Sequence, residues 1–162
     1  MNFQIAFSQD LTFEEMQSIV QNINIDFSLF PTQNTWNNEY HPPLINTRDK
    51  REFRELLVTE SRQPPNFDGR YRIVEYDADP NIKLKYFFII DLNTGLVYDR
   101  LFRISHEIKY SIESSMIIMN PIESMDDEPN EFRSSDNKIV YAKWNGQSFS
   151  FLLFINSYPA FW

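Results

Sequence analysis

The chain has 162 residues, a formal net charge of −8 and no cysteine. Its length suits one domain with a hydrophobic core, because a domain of about this size buries roughly 70% of the surface of its unfolded chain. The lack of cysteine excludes a disulfide scaffold, a zinc–thiolate site and a thiol nucleophile, and it favours a reducing compartment.

Aromatic residues are abundant, whereas long apolar runs are absent from the sequence. Fifteen Phe, eight Tyr and three Trp argue against a disordered chain. No apolar run reaches the length of about 20 residues that a membrane-spanning helix needs. The N-terminus also lacks the basic and then apolar pattern of a signal peptide. We therefore expect a soluble, cytoplasmic protein.

The negative charge is concentrated in two segments of the sequence. Residues 1–47 and 110–132 contain no Lys or Arg but several Asp and Glu. Such segments would repel the phosphate backbone of a nucleic acid. They would attract a basic protein and accelerate its encounter. The alternative is an acidic, solvated surface that only maintains solubility.

The first part of the chain predicts two helices and an irregular segment between them. Residues 2–7 alternate weakly and predict a short strand or an extended arm. Thr12-Phe-Glu-Glu15 matches a capping box, and the apolar spacing that follows predicts a helix over 12–23. Residues 48–60 are rich in helix formers and predict the second helix. The irregular segment must pack on the body or present a surface to a partner, because it carries Phe27, Leu29, Phe30, Trp36 and Tyr40.

The rest of the chain predicts an antiparallel sheet. Tyr86–Ile90 are five consecutive apolar residues, which are too few for a buried helix and predict a central strand covered on both faces. Strands over 70–76 and 96–98 flank it, and antiparallel pairing is expected for strands so close in sequence. A further strand is predicted over 111–119. In it, Ile112, Met116 and Ile118 would share one face, and Ile117 and Met119 the other.

The last hairpin is predicted from strands over 138–144 and 147–155. Asn145-Gly146 lies between them and is the pair that a two-residue type I′ turn requires. Phe149, Phe151, Leu153 and Ile155 alternate and are predicted to share one face. The whole pattern predicts one α+β domain over 1–162, with two helices in about 1–65 packed on an antiparallel sheet of five or six strands in about 70–156.

No motif for catalysis or cofactor binding is found in the sequence. The three glycines fall at predicted turns, so there is no phosphate-binding loop or nucleophile elbow. His106 with Glu107 could serve as a general base, but no nucleophile lies at a telling spacing. Asp77-x-Asp-x-Asn81 begins like a calcium loop, but Ile82 stands where that loop needs glycine. We therefore interpret Asp77 and Asp79 as loop residues between strands, and expect no catalytic residue, cofactor or metal.

An ordered set of four segments resembles a known kind of bacterial protein. The segments are Gly-Arg-Tyr-Arg-Ile-Val-Glu (69–75), Phe-Ile-Ile-Asp-Leu-Asn-Thr-Gly-Leu-Val-Tyr (88–98), Tyr-Ser-Ile-Glu-Ser-Ser-Met-Ile-Ile-Met-Asn (110–120) and Tyr-Ala-Lys-Trp-Asn-Gly (141–146). This order resembles the immunity proteins of contact-dependent growth inhibition and related polymorphic toxin systems. Members often carry a loop rich in cysteine and glycine after the first strand. Residues 77–81 replace it here, so no role is transferred to that loop.

The resemblance implies a protein that neutralises a toxin by binding it. Nucleases are usually basic because they bind phosphates, so the resemblance agrees with the acidic segments. We expect a one-to-one complex with a cognate toxin C-terminal domain, a basic nuclease such as an RNase whose active site is covered, and neither nucleic acid nor membrane as partner. The alternatives are a non-catalytic adaptor or structural protein-binding module, and a small hydrolase using His106 and Glu107. The candidate partner-binding residues are acids and loop aromatics: Glu123, Asp126, Asp127, Glu128, Glu131, Asp77, Asp79, Trp36 and Tyr40.

Overall fold

The structure is a computed structural model that describes residues 5–8, 11–79, 81, 84–99, 104–125 and 138–156. In these residues the helices are α1 (Phe13–Asn22), α2 (Arg48–Glu52) and α3 (Arg54–Glu60). The strands are β1 (Ile5–Ser8), β2 (Tyr71–Asp79), β3 (Leu84–Asp91), β4 (Val97–Tyr98), β5 (Ile108–Tyr110), β6 (Met116–Met119), β7 (Lys138–Trp144) and β8 (Phe149–Asn156).

The strands form two sheets. One has five strands in the order β1-β8-β7-β6-β5, and β1 runs parallel to β8 while the other pairs are antiparallel. The other has three antiparallel strands in the order β2-β3-β4. The α+β class is thus confirmed, but two sheets and three helices replace the predicted single sheet with two helices.

Three buried clusters hold the layers together. Phe87 and Trp144 belong to the cluster between the two sheets. Met16 of α1 belongs to a cluster on the outer face of the five-stranded sheet. Leu57 of α3 packs with Phe88 on the outer face of the three-stranded sheet. The molecule is therefore layered helix, sheet, sheet, helix, and β3 is buried on both faces as predicted.

The first helix begins as its sequence predicts. The Thr12 hydroxyl accepts a hydrogen bond from the Glu15 N–H at 3.2 Å, and the Glu15 carboxylate accepts one from the Thr12 N–H at 2.8 Å. The predicted second helix is instead divided at Phe53, which has φ −102° and ψ 20°. The Phe53 ring packs against Tyr76 and Phe88 at centroid distances of 4.3 and 5.5 Å. This contact is tertiary, so helix propensity alone did not reveal the break.

The last hairpin differs from its prediction in the turn and in the faces. Trp144 pairs with Phe149, so the connection has four residues (145–148) and is not a two-residue type I′ turn. Leu152 has no partner in the register, since Tyr141 pairs with Leu153 and Ala142 with Phe151. This bulge reverses the alternation of side chains.

The four residues predicted to share a face of β8 are therefore divided. Phe149 packs against the cluster between the sheets, whereas Leu153 and Ile155 belong to the cluster under α1. Phe151 is exposed.

The predicted strand over 111–119 is shorter in the structure. Residues 111–115 form a turn, and Ile112 is exposed there. In β6, Met116 packs under α1 while Ile117 and Met119 pack between the sheets, as the alternation predicted.

Residues 31–47, which we call the strap, pack along the ends of β2 and β3. The Leu44 N–H donates to the Gly95 carbonyl at 2.8 Å, and the Asn37 N–H donates to the Asn93 side chain at 3.0 Å. Asn93 in turn donates to the Thr35 carbonyl at 2.9 Å. Of the residues that led to the two expected roles of the irregular segment, Phe27, Phe30 and Trp36 pack on the body, whereas Leu29 and Tyr40 are exposed.

We expect Gly69→Ala and Gly95→Ala to destabilise the fold more than Gly146→Ala. All three glycines have positive φ (72°, 77° and 96°), which costs an alanine about 1–2 kcal/mol. A Cβ at Gly69 or Gly95 would also lie 2.2 Å from the carbonyl oxygen of Asn34 or Pro42 in the strap, whereas at Gly146 the nearest atom is 3.3 Å away. Urea unfolding of the three variants measures the difference. Equal losses of unfolding free energy in the three variants would show that the close contacts of the strap with Gly69 and Gly95 do not affect stability.

Candidate protein-binding site

Three exposed carboxylates come together where the two sheets meet at one rim of the molecule. Glu75 and Asp77 lie towards the end of β2, and Glu107 directly precedes β5. Glu75 is close enough to the other two for both to influence its pKa. We call Glu75, Asp77 and Glu107 the acidic rim. It joins Glu107 to residues at least 30 positions earlier in the sequence, because β2 and β5 belong to sheets that pack face to face.

The electrostatics of the acidic rim centre on Glu75. Loss of hydration raises the pKa of Glu75; the positive charge of Lys85 opposes this rise, and Glu107 and Asp77 add to it. Tyr110 lies beside the same carboxylate: burial raises the pKa of its hydroxyl, and the charge of Glu75 raises it further. The ionised form of Glu75 is thus destabilised relative to that of an ordinary glutamate, and a nearby cation would stabilise it.

Glu123 lies beside β5 on the face opposite to Tyr110 and Glu75. Its carboxylate accepts a hydrogen bond from the Lys109 ammonium at 2.7 Å. This bond is the main reason why the pKa of Glu123 is lowered. Lys109 alternates with Ile108 and Tyr110, which face the other sheet. Strand β5 is therefore flanked by acids on both faces, but Glu123 already has a positive partner.

The other predicted partner-binding residues are not all placed together. Asp126, Asp127, Glu128 and Glu131 lie outside the described residues. The interpretation of Asp77 and Asp79 as loop residues was wrong, because both belong to β2, where Asp77 pairs with Lys85 and Asp79 with Leu84. The antiparallel pairing with β3 continues through this segment across a bulge, which its polar composition did not suggest.

The two predicted aromatic anchors lie in the strap. Trp36 is half-buried and packs against the cluster under α3, on the outer face of the three-stranded sheet. Tyr40 is 50% exposed, and its ring lies 5.7 Å from the guanidinium carbon of Arg62. The acidic rim belongs to the inner face of that sheet, so Trp36 does not contribute to it.

Glu75 and Glu107 were not among the predicted partner-binding residues. Glu75 follows Tyr71 and Ile73 at a spacing of two, so its side chain lies on the apolar face of β2. A charged residue in such a position is typical of an edge strand, and this signal could have singled it out. Glu107 was considered only with His106. Its proximity to Glu75 depends on how the sheets pack, which no local pattern shows.

A second polar cluster holds the strap and the strand ends rather than presenting a surface. Arg70 donates to Asp91 at 3.1 Å and to the Tyr71 hydroxyl at 3.0 Å, which ties the start of β2 to the end of β3. Asp68 is 2% exposed and accepts a hydrogen bond from the Asn34 side chain in the strap at 2.8 Å. These charged groups connect parts of the fold to each other, and we assign them a structural role.

Comparison with known proteins identifies no family for the chain. No protein-family model, no curated protein and no solved structure matches the chain. Among the described residues, no group of three or more His, Cys, Asp or Glu is arranged to hold a metal ion. In the same part of the chain, no helix has the length and apolar character to cross a membrane.

We expect Asp68→Asn to remove a pH-dependent component of stability. Burial raises the pKa of Asp68 above its ordinary value of 3.8, against the hydrogen bonds from Thr32 and Asn34. Between 3.8 and the raised pKa the folded chain binds more protons than the unfolded chain, so this component falls as pH rises and is constant above the raised pKa. Urea unfolding across this pH range should show that the free energy of unfolding of the wild-type chain, relative to that of Asp68→Asn, decreases as the pH rises.

Asp26→Asn is the matched control with the opposite sign. Hydrogen bonds from the Ser28 side chain and backbone lower the pKa of Asp26. Its contribution is therefore present above 3.8 and is lost as pH falls through the lowered pKa. Parallel profiles for the wild-type chain and Asp68→Asn would contradict the assignment for Asp68.

Proposed function

We propose that this chain is a cytoplasmic immunity protein that binds one cognate toxin domain and has no chemistry of its own. The toxin domain is a basic nuclease, an RNase by preference, whose active site the immunity protein covers. The observation that carries the proposal is the acidic rim, in which three exposed carboxylates from two sheets converge. The ordered sequence segments that resemble immunity proteins support it independently.

The charge state of the acidic rim favours a basic partner. Lost hydration raises the pKa of Glu75, and the negative charges of Glu107 and Asp77 raise it further, so both acids repel the Glu75 carboxylate in the free protein. A Lys or Arg of a partner would reduce this repulsion on binding. The same carboxylates would attract a basic domain at a distance and orient it before contact.

The first test is co-expression of this chain with the toxin C-terminal domain encoded immediately upstream. We expect growth to be rescued and a one-to-one complex to be recovered by affinity purification. If the upstream domain remains toxic and no complex is recovered, the immunity proposal fails for that domain. Binding of another basic protein without rescue of growth would instead favour the adaptor function.

We expect neutralisation of the acidic rim to slow the association of the two proteins. The variant carries Glu75→Gln, Asp77→Asn and Glu107→Gln. The control carries Glu14→Gln, Glu52→Gln and Glu55→Gln, three exposed acids of the helices that change the net charge equally. Stopped-flow kinetics at low salt should show an association rate about tenfold lower for the first variant and little changed for the second. Equal rates for both variants would remove the acidic rim from the encounter.

The second acidic segment can be tested in the same assay. We expect neutralising Glu123, Asp126, Asp127, Glu128 and Glu131 together to lower the association rate and its dependence on salt. An association rate and salt dependence equal to those of the unmodified chain would place this segment outside the interface.

A further inference from the structure

Strand β2 lies at an edge of its sheet, and the first half of this edge is filled by the chain itself. The Tyr71 N–H donates to the Phe67 carbonyl at 2.9 Å, and the Phe67 N–H donates back at 3.0 Å. The Ile73 N–H donates to the Asn66 side-chain oxygen at 2.7 Å, and the Asn66 amide donates to the Ile73 carbonyl at 3.0 Å. Residues 66 and 67 thus form the hydrogen bonds that a neighbouring strand would form with Tyr71 and Ile73.

The second half of the edge is open among the residues that the structure describes. In an antiparallel pair, alternate residues direct their N–H and C=O groups to opposite sides of the strand. The outward direction of these groups at Tyr71 and Ile73 therefore recurs at Glu75. No described residue forms a hydrogen bond with the Glu75 backbone. A strand edge of this kind is a template for an added strand.

The charges at this edge decide what can occupy it. A second copy of the chain would bring Glu75 and Asp77 of two molecules together, and like charges on paired strands repel. Glu107 adds a third negative charge beside the same edge. A segment with Lys or Arg at alternate positions would instead form favourable cross-strand pairs with these acids.

We propose that a basic, extended segment of the partner pairs with the open edge of β2 at Glu75–Asp77, through backbone hydrogen bonds and the charges of the acidic rim. This inference rests on the proposed function in that it identifies how the basic partner docks. The self-capping of β2 by Asn66 and Phe67 limits docking to the part of the strand that follows Ile73.

The test uses a blocked octapeptide of alternating lysine and valine as the basic segment. Amide hydrogen exchange of the full chain is followed by NMR with and without the peptide. We expect exchange at the Glu75 amide to slow at least tenfold, with little change along β1 and β4. An octapeptide of alternating glutamate and valine is the control probe, and it should give no protection. Absence of protection at Glu75 with the basic peptide, or protection at another edge, would overturn the proposal.

Two substitutions of Glu75 distinguish the contribution of its backbone hydrogen bond from that of its charge. Glu75→Gln and Glu75→Pro both remove the carboxylate, but only proline removes the outward N–H. Proline is tolerated on an edge strand whose N–H faces solvent. We expect Glu75→Pro to weaken peptide binding at least tenfold relative to Glu75→Gln, with thermal unfolding confirming that both variants fold. Equal binding by the two variants would overturn the backbone pairing.

The peptide assay also keeps the two proposals apart. Failure of the upstream toxin domain to form a complex would overturn the proposed function, while Glu75 protection by the basic peptide would still support the docking edge. In a complex that does form, an unprotected Glu75 amide would overturn the docking edge and leave the immunity function intact.

Discussion

The burial of β3 on both faces is the constraint on which the rest of the structure depends. Phe87, Phe88, Ile89 and Ile90 are successive residues and all are completely buried. Fully burying one such side chain stabilises a fold by about 1.5–3 kcal/mol, so covering only one face would forfeit about half of this gain. One face is covered by the five-stranded sheet and the other by α3 and the strap, and four layers result.

The parts of the fold that local patterns specify were predictable from the sequence. The capping box at Thr12 fixed the start of α1, and the apolar run at Tyr86–Ile90 identified β3. The existence of a second sheet was not predictable, because an apolar run shows that a face is buried but not what covers it. The bulge at Leu152 was not predictable for a related reason. Phe149 and Leu153 are both apolar and both pack against buried clusters, but on opposite faces of β8, so the apolar pattern does not show where the alternation reverses.

The candidate site shows the same division between local and tertiary information. Asp77 could be singled out because a run of acids is visible in the sequence. The association of Glu75 with Glu107 could not, since it arises only when β2 and β5 are brought to the same rim by the cluster between the sheets. Trp36 could be singled out because tryptophan is a common interface anchor. Its packing against the cluster under α3, however, depends on the path of the strap.

The two acids beside β5 show which carboxylate gains most from a basic partner. A hydrogen bond from Lys109 lowers the pKa of Glu123, so a partner's cation would have to compete with a lysine already in place. Lost hydration and two neighbouring acids raise the pKa of Glu75, and Lys85 opposes them only in part. A cation at Glu75 therefore relieves a repulsion that exists in the free protein, whereas a cation at Glu123 exchanges one ion pair for another. Because exposed charges mainly affect the rate of encounter, lasting affinity must come from contacts that exclude water. No described residue pairs with the outward backbone groups of Glu75, and there both contributions can be made by one extended segment.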